Sequence, residues 1–397
     1  MTAPAPARGY GPLLRTPGAL AFSLAGLVGR LPIAMLGIGT VLLVEDRRDS
    51  YALAGLVSAA YALGLAVIGP AVSRLVDRRG QRAVLRWALL VTTAGVAGVV
   101  LLAKDGPVAL LLLAASLMSA APSQLGSCSR ARWSELLTAR QAEVPRAYAW
   151  ESVVDETVFV LGPLVVVLCA VLDPAVGLLA ALVLGGAGTL AFLGQHATEP
   201  AVHPLPDGHQ RAMASPGLRV LTVSMLCVGV LFGTVEVGMV AFAEERGSSS
   251  GAGVLLALVA LGSALAGLAY GALHLRSPLS RRYVLATGFL ALGLVPLLLV
   301  DSVPLMAPAA LLAGVAISPT LIASFGLVDQ LVPVAARTEG FSWLNSGLGV
   351  GVALGFAVSG SVADVAGART AFLVALGGAV AALAVAAAGA KALSPAS

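Results

Sequence analysis

Four ionisable residues stand inside long apolar runs of this 397-residue chain, where an isolated charge costs about 3 kcal/mol or more and demands a partner. Arg30, in GLVGRLPIAM, sits near the centre of its run, two residues before Pro32, whose missing amide leaves backbone carbonyls open nearby. A guanidinium there can bind an anionic group, hold a facing carboxylate ionised, or form a fixed ion pair. The stretch ESVVDET puts Glu151 and Asp155 on one helix face, with Glu156 about 100° round. Glu151 lies nearest the polar loop, and its simplest partners are Arg146 and Arg140. Asp155 and Glu156 stand deeper, where burial makes charge costly and protonation switchable, so either is a candidate proton carrier. The face of Glu156 continues to Pro163. Glu236, in FGTVEVGMVAF, is the carboxylate set well inside its own run. Arg30 and Glu236 are the favoured pair, facing one cavity from opposite sides and serving a substrate or a coupled proton. Trp343 beside Asn345 is the aromatic–polar cluster placed to touch such a cavity. Asp301, Asp329, Glu339 and Asp364 fall at run ends and read as solvated or capping groups.

Other chemistries are argued against by missing residues. No Gly-x-x-x-x-Gly-Lys-Ser/Thr loop is present, so ATP is not a direct energy source. His196, His203, His209 and His274 all lie between apolar runs, and Cys128, Cys169 and Cys227 are scattered without metal-ligand spacing. The cysteines read as small packing residues. No base accompanies a serine inside a run. Neither an enzyme, nor a metal, nor a cofactor is expected.

The elements that must position these side chains follow from hydropathy. The chain is 58% hydrophobic and only 11% charged, with a mean hydropathy of +0.94, which excludes an ordinary soluble enzyme. Apolar runs of roughly twenty residues, the length of a membrane-crossing helix, recur at 20–44, 51–72, 84–103, 108–126, 152–171, 176–193, 218–243, 251–273, 283–300, 306–327, 340–363 and 370–390. Twelve spans in a lipid bilayer are expected. Of the 24 basic residues, eighteen fall in the segments on one side and five on the other, so the basic side is cytoplasmic and both termini lie there. This placement accounts for the net charge of +4 without nucleic acid. The opening residues 1–17, rich in Pro and Gly, read as a disordered cytoplasmic tail.

The longest polar stretch, 196–217, reads as a cytoplasmic linker between bundles at 18–195 and 218–392. Internal similarity supports duplication: Pro122 and Ser127 match Pro319 and Ser324, and PRAYAW (145–150) matches ARTEGFSW (336–343). A substrate path then lies between the halves near the midplane. Gly347, Gly351 and Gly355 repeat every fourth residue, as do Gly267 and Gly271, which lets helices approach closely. Trp87, Trp133 and Trp150 fit interface anchoring.

The loop SRLVDRRGQR (73–82) resembles the cytoplasmic signature of the major facilitator superfamily, Gly-x-Leu-Ala-Asp-Arg-x-Gly-Arg-Arg. Leu75, Asp77, Arg78, Gly80 and Arg82 fit; Ser73 replaces the first glycine and Gln81 an arginine. In the second half, GALHLRSPLSRR (271–282) is a degenerate copy with Leu275 for the aspartate. FVLGP (159–163) keeps the Gly162–Pro163 pair that exporters of this family place in the fifth span, while the arginine-bearing signature of the fourth span is missing from 111–126.

The resemblance covers 20–390 and implies an all-α membrane fold of two six-helix pseudo-symmetric bundles, with Asp77 against the start of the eleventh span near Gly340, alongside Arg130 or Arg132, as a cytoplasmic gate. It implies a monomeric, multi-pass transporter of the plasma membrane that exports a small organic molecule by alternating access, as a proton-coupled antiporter. Uptake symport or uniport by the same fold is the alternative, and a non-transporting sensor or assembly partner is the alternative of another class.

Overall fold

The computed structural model describes residues 10–202, 211–247, 249–273 and 277–394, and every regular element among them is helical. In chain order these are α1 (Gly11–Leu14), α2 (Ala19–Arg48), α3 (Tyr51–Arg79), α4 (Gln81–Leu102), α5 (Val108–Leu117), α6 (Pro122–Leu136), α7 (Val144–Ala170), α8 (Pro174–Gly194), α9 (Pro216–Glu245), α10 (Ser249–Ala272), α11 (Leu279–Leu299), α12 (Val303–Val315), α13 (Ile317–Leu331) and α14 (Arg337–Ala388). Among the described residues, eleven helices are long and apolar enough to cross a membrane, with α5 as a shorter apolar helix. The expected fourth span falls short because its helix breaks at residues 118–121. Thr92 on α4 satisfies that break: its Oγ1 donates to Met118 O at 3.2 Å and accepts from Ala121 N at 3.0 Å. The expected tenth span is also interrupted, at Ala316 between α12 and α13. The eleventh and twelfth run together as α14, broken at Gly367, whose φ of 78° suits glycine.

The chain forms two compact units. The first comprises Met1–Val144, Val154–His209 and Val334–Trp343, and therefore takes in the start of α14. Its core gathers Met35, Leu36 and Leu43 of α2, Val57 and Tyr61 of α3, Val96 and Val99 of α4, and Val166 and Leu178 of α7 and α8. Helix α2 lies on α8 with backbones almost touching, since a Cβ at Gly188 would stand 2.1 Å from Gly29 N. Gly185 similarly leaves space for the Pro32 ring. Charged and polar side chains finish the helix ends. Ser50 caps α3, and Arg48 donates to Leu102 O and Ala103 O at 2.9 and 2.7 Å, a cation at the C-terminus of α4. Asp173 caps α8 through Ala175 N and pairs with Arg47 at 2.7 Å; both contacts hold its carboxyl below the ordinary aspartate range.

Part of the expected tail is ordered. Residues 1–9 lie outside the described ones, but α1 buries Leu13 completely, and Arg140 donates to Thr16 Oγ1 at 3.1 Å. The linker is ordered on both sides of 203–210, which also lie outside the described residues. Trp133 is fully buried, edge-on to Phe22 at 5.1 Å, so it is a core residue and not an interface anchor; Trp87 is 72% exposed.

The second unit comprises Pro145–Val153, Gln210–Pro333 and Leu344–Ser397. Two glycine crossings hold it. On α14, Cβ atoms at Gly347, Gly351 and Gly355 would meet the carbonyls of Thr222, Leu226 and Val230 on α9 at 2.6, 2.0 and 2.4 Å. Gly229 and Gly233 answer from α9. Gly262 and Gly314 make the same contact between α10 and α12. Hydroxyls add cross-links: Tyr283 donates to Ser224 Oγ at 2.7 Å, Ser224 to Ala382 O at 3.0 Å, and Ser263 meets Ser318 at 2.8 Å.

Candidate substrate and coupling site

Helices α2, α6 and α7 bring three charged side chains of the first unit together. Asp155 accepts from Arg30 Nη1 at 2.8 Å through one carboxylate oxygen and from Arg130 Nη2 at 2.6 Å through the other. Each arginine lies over a glycine one turn earlier on its own helix. A Cβ at Gly26 would stand 3.4 Å from Arg30 Nη2, and one at Gly126 would stand 3.3 Å from Arg130 Nη1. Helical side chains lean toward the N-terminus, so these glycines make room for the planar guanidinium groups. The arginine side chains are 3% and 2% exposed and the aspartate 34%, which makes the carboxylate the open face of the cluster. Two guanidinium groups hold the carboxylate by charge-assisted hydrogen bonds, and loss of its charge would loosen both pairs.

Arg30 and Asp155 stand out in the sequence, but Arg130 does not. Hydropathy ends the fourth span at Gly126, whereas α6 continues to Leu136 and carries Arg130 and Arg132 as buried residues. The available signal was the small-residue run Gly126-Ser127-Cys128-Ser129, which lets a helix stay buried past its apolar end. Glu156, next to Asp155 on α7, is half-buried. In the second unit, Glu236 is exposed on α9, without a hydrogen bond or ion pair to a described residue. Trp343 belongs to the first unit and donates from Nε1 to Glu339 Oε1 at 3.3 Å. Asn345, half-buried on α14, has no hydrogen bond to a described residue. Gly162 lets α7 close onto α2, since its Cβ would meet Ala34 Cβ at 2.7 Å, and Pro163 lies inside α7.

The signature loop builds a second charged cluster in the same unit. Asp77, at the end of α3, accepts from Thr338 N at 3.2 Å and Glu339 N at 2.9 Å, the free amides of the first turn of α14. Arg74, one turn earlier, pairs with Glu339 at 2.6 Å. Glu339 is 3% exposed, so it is a buried ion-pair partner and not a solvated group. Ser73 donates to Gln124 Oε1, and Gln124 Nε2 donates to Gly69 O at 3.1 Å, tying α3 to α6. Gly80, with φ of 85°, is the single residue joining α3 to α4. Beyond it Arg82 N donates to Glu199 Oε1 at 2.9 Å. Arg132 bridges Gln81 Oε1 at 2.7 Å, Gln195 O at 3.0 Å and Thr198 Oγ1 at 2.9 Å, with its guanidinium 3.7 Å from the Phe192 ring. The start of the linker is thereby fastened to the first unit. Leu75, Arg78 and the side chain of Arg82 are exposed.

Both this loop and the charged cluster on three helices lie within residues that match a known family. Residues 19–243 and 221–395 each match the Major Facilitator Superfamily. The chain belongs to that superfamily. Its fold is that of solved members of the superfamily: the human organic anion transporter MFSD10 (TM-score 0.74, 17% identity, 93% of this chain and 98% of that one) and a bacterial homologue of the iron transporter ferroportin in its outward-facing state (0.75, 15%, 94% and 99%). FucP in the outward conformation is also similar (0.71, 14%, 92% and 97%). Among curated proteins none matches. The protein is therefore a multi-pass membrane transporter of the superfamily type, with two-bundle helical topology.

Proposed function

We propose that this transporter exports a small organic molecule across the plasma membrane by alternating access, driven by protons entering in exchange, with both termini in the cytoplasm. The Arg30–Asp155–Arg130 cluster carries this reading. Asp155 is its accessible member, so it takes the proton, and Arg30 and Arg130 position it. A substrate that needs the carboxylate ionised competes with the proton for it, and such competition is antiport. The close packing of Gly162 onto α2 supports export, because Gly162 and Pro163 are the pair shared with exporters of the family. Asp77 on the first turn of α14 supports a cytoplasmic latch. A carboxylate at a helix N-terminus contributes about 0.3 to 1 kcal/mol, small enough to break in every cycle.

The test is dye and antibiotic efflux in an export-deficient bacterial host expressing wild type, Asp155→Asn or Glu236→Gln, with and without a protonophore. Wild-type efflux should collapse on uncoupling and in Asp155→Asn, and persist in Glu236→Gln. Loss in Glu236→Gln alone would move the coupling carboxylate to the second unit. Proton-dependent accumulation instead of efflux would assign uptake.

A further inference from the structure

Gly80 sets the ends of two helices side by side, so that Arg78 and Arg79 finish α3 just before Arg82 and Arg86 open α4. All four are exposed, and none forms an ion pair with a described residue. Arg82 and Arg86 stand one turn apart on α4, and their side of the helix continues as Trp87, 72% exposed, and Leu90, 58% exposed. The opposite side, with Val84, Leu85 and Ala88, is buried in the unit. A cationic crown above an exposed apolar stripe, with an indole at the boundary, matches the order of groups in a phospholipid: phosphate, interface, acyl chain.

We propose that this end of α3 and α4 is a docking site for an anionic phospholipid. Its phosphate lies between Arg82 and Arg86, Arg78 and Arg79 add to the field, and an acyl chain runs along Trp87 and Leu90. The apolar stripe selects a lipid over free phosphate, which would gain nothing from it. The matching start of α11 offers a control. Arg282 is bound to Ser277 O at 2.6 Å, which leaves Arg281 as the exposed arginine there among the described residues.

Purified full-length protein in neutral detergent tests this by thermal melting with added phosphatidylglycerol, phosphatidylcholine or glycerol 3-phosphate, and by native mass spectrometry of bound lipid. Phosphatidylglycerol should raise the melting temperature more than either other probe. Its binding should weaken about fivefold for each arginine removed in Arg82→Gln and Arg86→Gln, and stay unchanged in Arg281→Gln. Trp87→Ala, which alters only an exposed side chain, should also lower occupancy, and it serves if the arginine variants fold poorly. Equal effects of phosphatidylcholine, full reproduction by glycerol 3-phosphate, or undiminished phosphatidylglycerol binding in the double arginine variant would overturn the site.

Discussion

The first unit buries the guanidinium groups of Arg30, Arg130 and Arg132 among its helices, whereas the described part of the second buries Arg146, on Gly271 O at 3.1 Å, and packs α9 to α14 through hydroxyls and bare glycine backbone. The two constructions respond differently to change. A buried guanidinium has discrete partners at fixed angles, so Asp155 holds α2, α6 and α7 in one arrangement until its charge is lost. A glycine crossing is held by dispersion over a smooth surface and has no partner to lose. Removing the charge of Asp155 would therefore act on the first unit in a way that has no counterpart in the α9–α14 crossing.

The sharpest way to break this comparison is Asp155→Ala. Leaving two buried guanidinium groups without their carboxylate should destabilise the solubilised protein by about 3 to 5 kcal/mol, against less than about 0.5 kcal/mol for Glu236→Ala on the exposed side of α9. Equal losses in denaturant unfolding would mean that the charge cluster is not what holds the first unit. Gly351→Val comes next. Its added carbons meet Leu226 O, so overpacking should cost about 1 to 3 kcal/mol and lower the melting temperature. Gly349→Ala, which meets open space, should leave it unchanged. The smallest expected effect is that of Asp77→Asn. Losing about 0.3 to 1 kcal/mol at the start of α14 should speed hydrogen exchange of the Thr338 and Glu339 amides by up to about fivefold, without global unfolding. Unaltered exchange there would remove Asp77 as a latch.

Much of the architecture was legible because apolar runs in lipid have few options: the backbone must satisfy its own hydrogen bonds, so each run becomes a helix. Asp77 and Gly80 were legible too, since the loop spacing carried them. Arg130 was not, because a hydropathy boundary assigns a charged residue to a loop, whereas α6 keeps it buried by pairing it with a carboxylate 25 positions away. Glu339 failed for the same reason in reverse: a carboxylate at a span end reads as solvated until Arg74 and Trp343 are seen on it. Leu13 and Trp133 show that a polar neighbourhood in sequence says little about burial once other helices close over it.

By itself the sequence determined the material of this protein: helices long enough for a bilayer, basic residues between them, glycines at four-residue spacing, and a signature loop. These are local properties, set by composition and helical period. Only the tertiary structure decided which charges meet, because Arg30, Arg130 and Asp155 come from three helices whose crossings depend on where Gly29, Gly162 and Gly188 let backbones approach. Partner choice among buried charges is a consequence of helix packing, and packing is not written in any one segment.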